Sequence, residues 1–409
     1  MSSAPPVAVP STLHRVVHRS LPVDGLRGAA IALVVLFHAT VVWPTAERPP
    51  LGSLGALFQG GNIAVSTFYV ISGYLVTKRM LAASTRSRVW GPLVYLEQRT
   101  VRIALQVWVL LVAVLLAWRL DPTDTTSSDA TIRSVLAAAT FTFNTYVRDH
   151  ALAARADIGP LYFLSIDVQF FVVAALVVVA LARRRRLLVG IAVVALVATF
   201  WWRWQLYLDE GWFRAALTTT ARMDGLLAGA AAAALLQGRP TPTWLRRHAT
   251  ALAGSGLLLL AGVLLSCVFV GIDGYFGLQG VVTTLAATAL VVGLANGASV
   301  DGPGSRVLSW RPLVVLGQAS LTVFLWHMPV FQLVRRHAGG WDTLPRLLVT
   351  AVVLGAVVVV VHRAVAPVAE AVVRRVFGSR RLSRLAGGDP RPTASLPGEA
   401  SGEPAGRDR

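Results

Sequence analysis

Apolar runs of about 16 to 24 residues alternate along the chain with short connections that carry almost all of its charge. This pattern predicts membrane-spanning α-helices, because a backbone in hydrocarbon must satisfy its polar groups within its own segment. Spans are predicted over about 24–43, 60–78, 103–118, 159–182, 187–204, 213–236, 249–270, 276–295, 313–334 and 344–365. The connection 44–52 is tight and rich in proline. Between the second and third spans lie Lys78, Arg79, Arg86, Arg88, Arg99 and Arg102, and the next connection is acidic, with Asp121, Asp124 and Asp129. Basic loops stay inside, so the first of these connections and the N-terminus are predicted cytoplasmic and the second external.

The segment Val135 to Val147 is apolar but short, and Thr140, Thr142, Asn144 and Thr145 interrupt it. If it crossed, the run Arg183 to Arg186 would fall outside, against the orientation rule. It is therefore read as an outer or re-entrant helix. Arg239, Arg246, Arg247, Arg306, Arg311, Arg374, Arg375, Arg380, Arg381 and Arg384 then face inward, and the pair Arg335-Arg336 is an exception placed outside. Trp201, Trp202, Trp204, Tyr207 and Trp212 form an outer aromatic belt. The fold class is thus an all-α integral membrane protein of about ten transmembrane helices with both termini cytoplasmic and one extra short helix near 135–147. Residues 1–20 form a basic cytoplasmic segment, 21–366 the transmembrane domain, and 367–409 an arginine-rich segment that is disordered from Gly387 on. No soluble domain is expected after the bundle.

Composition agrees with this reading and removes several functions. Of 409 residues 55% are hydrophobic and only 14% charged, with a mean hydropathy of +0.62, against about 25% charged in soluble domains. The formal charge of +18 lies in the loops, where it sets orientation, so nucleic acid is not a predicted partner. A lone cysteine, Cys267, excludes an intramolecular disulfide, a paired-cysteine redox site and a cysteine metal cluster. The first apolar run lacks a signal-peptide cleavage pattern and is expected to remain as a helix.

Against this apolar background the polar residues within spans are few: Asp24, Arg27, His38, Ser72, Asp167, Gln169, Arg222, Asp224 and His327. Ionisable residues in hydrocarbon are costly and mark functional sites or polar cavities, although polar groups also hold helices together. In one helix Arg27 and His38, eleven positions apart, fall about 20° past three full turns and share a face. At about 1.5 Å per residue, His38 and His327 lie about 18 and 20 Å from the cytoplasmic end of their spans. Asp167 and Arg222 lie about 12 Å below the outer face, nearly the same level in a core about 30 Å thick. A shared polar layer favours a site over scattered packing residues. Within it Asp167 is open to three readings: a general base, a partner that orients His38, or the counter-ion of Arg222. Arg222 and Asp224 also fit a structural pair, and His327 fits either a second site histidine or a packing residue near a kink at Pro329. Arg99 and Arg102, at the start of the third span, share a helical face and suit a phosphate, or act only as orientation signals.

Taken in order, these residues resemble the membrane acyltransferase-3 family. The opening Asp24-Gly25-Leu26-Arg27-Gly28 with His38, the stretch from Phe68 to Leu75 around Ser72-Gly73, and the pair Arg99 and Arg102 are similar to its first motifs. Leu161 to Phe171, Arg222-Met223-Asp224-Gly225 and Gly317 to His327 resemble its later ones. Asp167 stands where the family usually has glutamate, one methylene longer. The resemblance implies O-acylation of a hydroxyl on a sugar, envelope glycan, glycolipid or macrolide at a bacterial inner or plasma membrane. Acyl-CoA would be a co-substrate, with no further cofactor. It implies His38 as general base with Asp167 holding its tautomer, and Arg27, Arg99 and Arg102 on the donor side. Asp24, Ser72, Gln169, Arg222, Asp224 and His327 would bind the acceptor or support the site. No metal motif is present: His38 and His327 lack a third ligand at suitable spacing. The rival class is a transporter or flippase of a lipid-linked sugar, whose mark would be inverted repeats and broken helices; no sequence repeat is seen. A structural or sensory protein would not need an arginine pair beside a buried base.

Overall fold

The computed structural model describes residues 20–43, 55, 58–238, 240–271, 273–297 and 302–386. The N-terminal segment to residue 19, the connection 44–52, Arg239 and the tail from Gly387 lie outside the described residues. Every regular element among those described is a helix.

The first helix, α1 (Leu21–Val42), starts with Pro22 in its first turn, where a missing N–H costs nothing. The second, α2 (Gly61–Ser84), packs against α1 and is buried along most of its length. Helix α3 (Trp90–Leu120) begins well before the predicted Ile103. Hydropathy reports only the apolar part of this helix, so Arg99 and Arg102 lie inside it and not at its start.

The interrupted segment forms two short helices, α4 (Ser128–Ala139) and α5 (Phe143–Asp149), where one was expected. Thr140 Oγ1 donates to the Leu136 carbonyl and Thr142 Oγ1 to that of Ala137, which competes with helix continuation. Phe141 between them has φ of 56°. The segment leaves and returns at one place, because Arg155 Nη2 lies 2.7 Å from Asp124.

A 3₁₀ turn over Ala156–Leu161 leads into α6 (Tyr162–Leu181). Helix α7 (Arg185–Leu217) runs through a predicted loop and kinks at Gly211, whose φ of 82° suits a residue without Cβ. The predicted sixth span is not one helix. It divides into the end of α7, a single turn α8 (Thr219–Arg222) and a short α9 (Asp224–Leu236), because Thr218 and Met223 leave helical geometry. Then come α10 (Thr243–Val270), α11 (Leu278–Ala295) and the short α12 (Pro303–Leu308). The predicted ninth span is broken as well: α13 (Arg311–Gln318) and α14 (Ser320–His337) meet at 76°. The break falls at Ala319, and Pro329 stays inside α14. Helix α15 (Thr343–Ala386) closes the bundle.

Among the described residues seven helical segments, α1, α3, 156–181, α7, α10, α11 and α15, are long and apolar enough to cross a membrane, and the bent α13–α14 pair adds an eighth if it counts as one span. The chain is a multi-pass membrane protein. Helix α2 is long enough but less apolar, and its place explains that: it touches α1, α3, α6, α9 and α11 and faces protein where others face lipid. Helix α7, in contrast, exposes Val194, Val197, Trp201 and Leu208.

Two glycine contacts set the helix spacing at the site. A Cβ on Gly28 would stand 2.0 Å from the Leu313 carbonyl oxygen, so α1 lies backbone against backbone on α13. On α2, a Cβ at Gly73 would stand 2.3 Å from the Leu226 carbonyl oxygen of α9. Small residues permit this approach where no hydrophobic force drives helices together.

Candidate active site

His38 on α1 and His327 on α14 face each other, with ring centroids 4.9 Å apart and planes tilted by 58°. Their protonation pattern follows from their backbone partners. Nδ1 of His38 lies 2.9 Å from the Val34 carbonyl oxygen, and Nδ1 of His327 lies 3.1 Å from that of Val323. A carbonyl oxygen only accepts, so in each neutral ring Nδ1 carries the proton and Nε2 keeps a lone pair. His327 is fully buried and its Nε2 has no hydrogen-bond partner, whereas His38 is half-buried. The same two helices are joined a second time, where Arg27 Nη2 donates to Ser320 Oγ at 2.9 Å. Asp24 is 3.9 Å from Arg27. Arg27 thus steadies the break between α13 and α14 and through it the position of His327.

Asp167 stands elsewhere. Ser72 Oγ donates to its Oδ1 at 2.7 Å, and Arg99 Nη2 reaches its Oδ2 at 2.9 Å and the Ser72 oxygen at 2.9 Å. Phe171 supports the guanidinium, 5.4 Å from its ring centroid. Asp167 therefore pairs with Arg99, not with Arg222, and does not touch His38. The motif arginines part company here: Arg99 is committed to a carboxylate, while Arg102 makes no side-chain bond among the described residues and its Nε is buried without a partner.

Asp224 pairs with Arg203, at 2.7 Å and fully buried, and accepts from Thr284 at 2.7 Å. The expected partner Arg222 is close in sequence but bonds to Asn62, at 3.4 Å, and to the Tyr162 hydroxyl, and lies beside the rings of Tyr275 and Tyr69. Gln169 is a strut. Its Nε2 donates to the Phe141 carbonyl at 2.8 Å and to Asn144 at 2.9 Å, and its Oε1 accepts from Thr219 at 2.6 Å.

Levels along α2 order these groups. Gly61 lies against the Phe37 ring beside His38, and Asn62 bonds Arg222. Ser72, which holds Arg99, is ten residues or about 15 Å further along. The histidine pair and Arg222 therefore share one end, and the motif arginines lie toward the other. Sequence reading missed Arg203, Tyr275, Asn62 and Tyr69. The signal for Arg203 was present, an arginine inside an apolar run, but Trp201, Trp202 and Trp204 around it read as an interface belt.

The model of an acyltransferase domain matches residues 22–362. The chain belongs to the acyltransferase-3 family. The motif resemblance is thereby confirmed over most of the bundle. Over 343 residues the chain is 27% identical to YrhL of Bacillus subtilis, which its name assigns provisionally as a peptidoglycan O-acetyltransferase; the match covers 77% of this chain and 49% of that protein. Over 330 residues it is 24% identical to the peptidoglycan O-acetyltransferase OatA of Listeria monocytogenes, covering 76% and 49%. The chain spans about half the length of these relatives. No solved structure matches it at a significant level.

Proposed function

We propose that the chain is a membrane O-acyltransferase that moves an acyl group from acyl-CoA to a hydroxyl of a sugar, glycan, glycolipid or glycosylated natural product, in a ten-span bundle of a bacterial inner or plasma membrane with both termini cytoplasmic. The observation that carries this reading is the histidine pair, whose Nδ1 atoms are tied to carbonyls so that the Nε2 lone pairs are free to take protons. His38, the more accessible ring, removes the acceptor proton as the hydroxyl oxygen attacks the thioester carbonyl. The C–S bond then breaks, and coenzyme A leaves as a thiolate that takes up the proton from His38. Arg102, which lacks a protein partner, meets a donor phosphate, and Arg99 lies beside it. Asp167 acts on Arg99 and not on His38, so the tautomer of His38 is held by Val34.

The break between α13 and α14 is also a feature of transporters, and one experiment separates the classes. The protein is placed in lipid nanodiscs, which have no second compartment, with acetyl-CoA and a panel of sugars and glycan fragments. Release of free thiol together with acetylated product is expected from the parent. His38→Gln should accumulate normally and lose at least about 100-fold in rate, because glutamine keeps a hydrogen bond but is no base. A parent without product, or a His38→Gln rate above about a tenth of the parent, overturns the reading.

A further inference from the structure

At the His38 end of the bundle, charge pairing among the described residues leaves Arg222 without a carboxylate partner. Asp24 faces Arg27, Asp167 holds Arg99 and Asp224 holds Arg203. Arg222 is fully buried with no carboxylate in ion-pair range among the described residues. Its Nε and Nη1 have no hydrogen-bond partner; the guanidinium is otherwise held by the long 3.4 Å bond from Nη2 to Asn62 and by a hydrogen bond with the Tyr162 hydroxyl, both neutral groups. Around it stand aromatic groups: the Tyr275 ring at 4.5 Å, the Tyr69 ring at 6.0 Å, and the Tyr162 phenol. Ring faces soften the burial of a guanidinium but do not neutralise it. Arginine cannot shed its charge, and its burial is unfavourable where, as here, Asp224 attracts it only from beyond ion-pair distance. Such a cation is stabilised when an anion arrives, and a planar fork of N–H donors suits a carboxylate or a phosphate ester.

Position identifies which substrate brings the anion. Arg222 lies at the His38 end of α2, about 15 Å from the level of Arg99 and thus away from the arginines suited to donor phosphates. We propose that Arg222 is the receptor for an anionic group, a carboxylate or a phosphate ester, on the acceptor, and that this contact turns the acceptor hydroxyl toward His38. The proposal rests on the acyltransferase reading and names the acceptor class. Asn62 and Tyr162 are half-buried, whereas Tyr69 and Tyr275 on the guanidinium are buried. Movement of Asn62 exchanges its long bond for a charge-assisted one.

The test is calorimetric binding to the full chain in lipid nanodiscs without donor, so its outcome is independent of acyl transfer. N-acetylmuramic acid is compared with N-acetylglucosamine, a pair that differs by a carboxylate-bearing arm, and glucose 6-phosphate with glucose. For the parent, at least one charged member is expected to bind more than tenfold tighter than its neutral counterpart, and the pair that does so tells carboxylate from phosphate. Arg222→Gln should abolish that preference and Arg222→Lys retain part of it. Equal or undetectable binding of charged and neutral members by the parent overturns the proposal, whatever the variants do. So does a charge preference that persists in Arg222→Gln.

Discussion

Arg99 and Asp167 meet at 2.9 Å, with Ser72 bonded to both, and Asp167 is buried while Arg99 stays partly exposed. A carboxylate one methylene shorter than the family's usual glutamate still makes two good contacts here, because α2, α3 and α6 bring its partners to it. Removing either charge leaves the other unpaired in low dielectric, which costs more than the pair itself contributes. Arg99→Ala and Asp167→Ala should each lower thermal stability of the purified protein, by about 2 kcal/mol after allowance for the exposure of Arg99. The double variant should fall well short of the sum of the two losses. Additive losses in that cycle would show that the pair is not coupled.

Arg102 should behave differently from its neighbour. With no protein partner it contributes little to folding, while one charge-assisted contact to a donor phosphate is worth about 1.5 to 3 kcal/mol. Arg102→Ala should therefore raise the KM for acetyl-CoA by about tenfold or more and leave the melting temperature near that of the parent. An unchanged KM would return Arg102 to an orientation signal.

Much of this arrangement could be read from the chain because lipid imposes a strong signal: α1, α10, α11 and α15 follow directly from apolar runs bounded by charge. Where protein replaces lipid as the neighbour, that signal weakens. Helix α3 continues through Glu97, Arg99 and Arg102 because its first turns face other helices and the aqueous edge. The breaks at Thr218, Met223 and Ala319 leave no trace in hydropathy. Site partners were less legible still. Depth follows from residue counting only along an unbroken helix; the predicted sixth span breaks at Thr218 and Met223, so Arg222 lies beside Asn62 and Asp167 beside Ser72, about 15 Å apart along α2 and not at the one level that counting predicts. Asp224 and Arg222 are neighbours in sequence, yet Asp224 is turned to Arg203 from another helix.

The arginine that broke the orientation pattern has its explanation in the same three-dimensional terms. Arg336 lies 3.2 Å from Asp121 and 3.6 Å from Asp124, so it is neutralised by the acidic connection. Arg155 joins Asp124 and Asp157 in the same cluster. Residues 121–124, 155–157 and 336 therefore belong to one face, whichever side of the membrane it meets. Reporter fusions after Asp129, after Asp157 and after Gly339 are all expected to report the outside. A mixed result would break the single-face arrangement, and a uniformly internal one would invert the orientation.

The same cluster makes stability depend on acid in a definite direction. Hydrogen bonds from Thr123 hold the Asp121 carboxyl well below the usual carboxylate range, and His337 and Arg336 add to this. Burial alone would raise Asp124, but bonds from Thr126 and Arg155 outweigh it and its carboxyl is lowered too. A depressed carboxylate stabilises the fold fully above its ordinary value, near pH 4, and the contribution is lost as pH falls through the lower folded value. Asp124→Asn removes the charge at every pH. It should lower the melting temperature by roughly 3 °C at pH 7, and its deficit relative to the parent should shrink as pH falls below about 4, where the unfolded chain takes up the proton first and the folded parent follows at its lower value. Melting curves of parent and variant at pH 7, 5 and 3 check this. A deficit that is constant or grows toward pH 3 would mean that Asp124 acts through its shape and not through its charge.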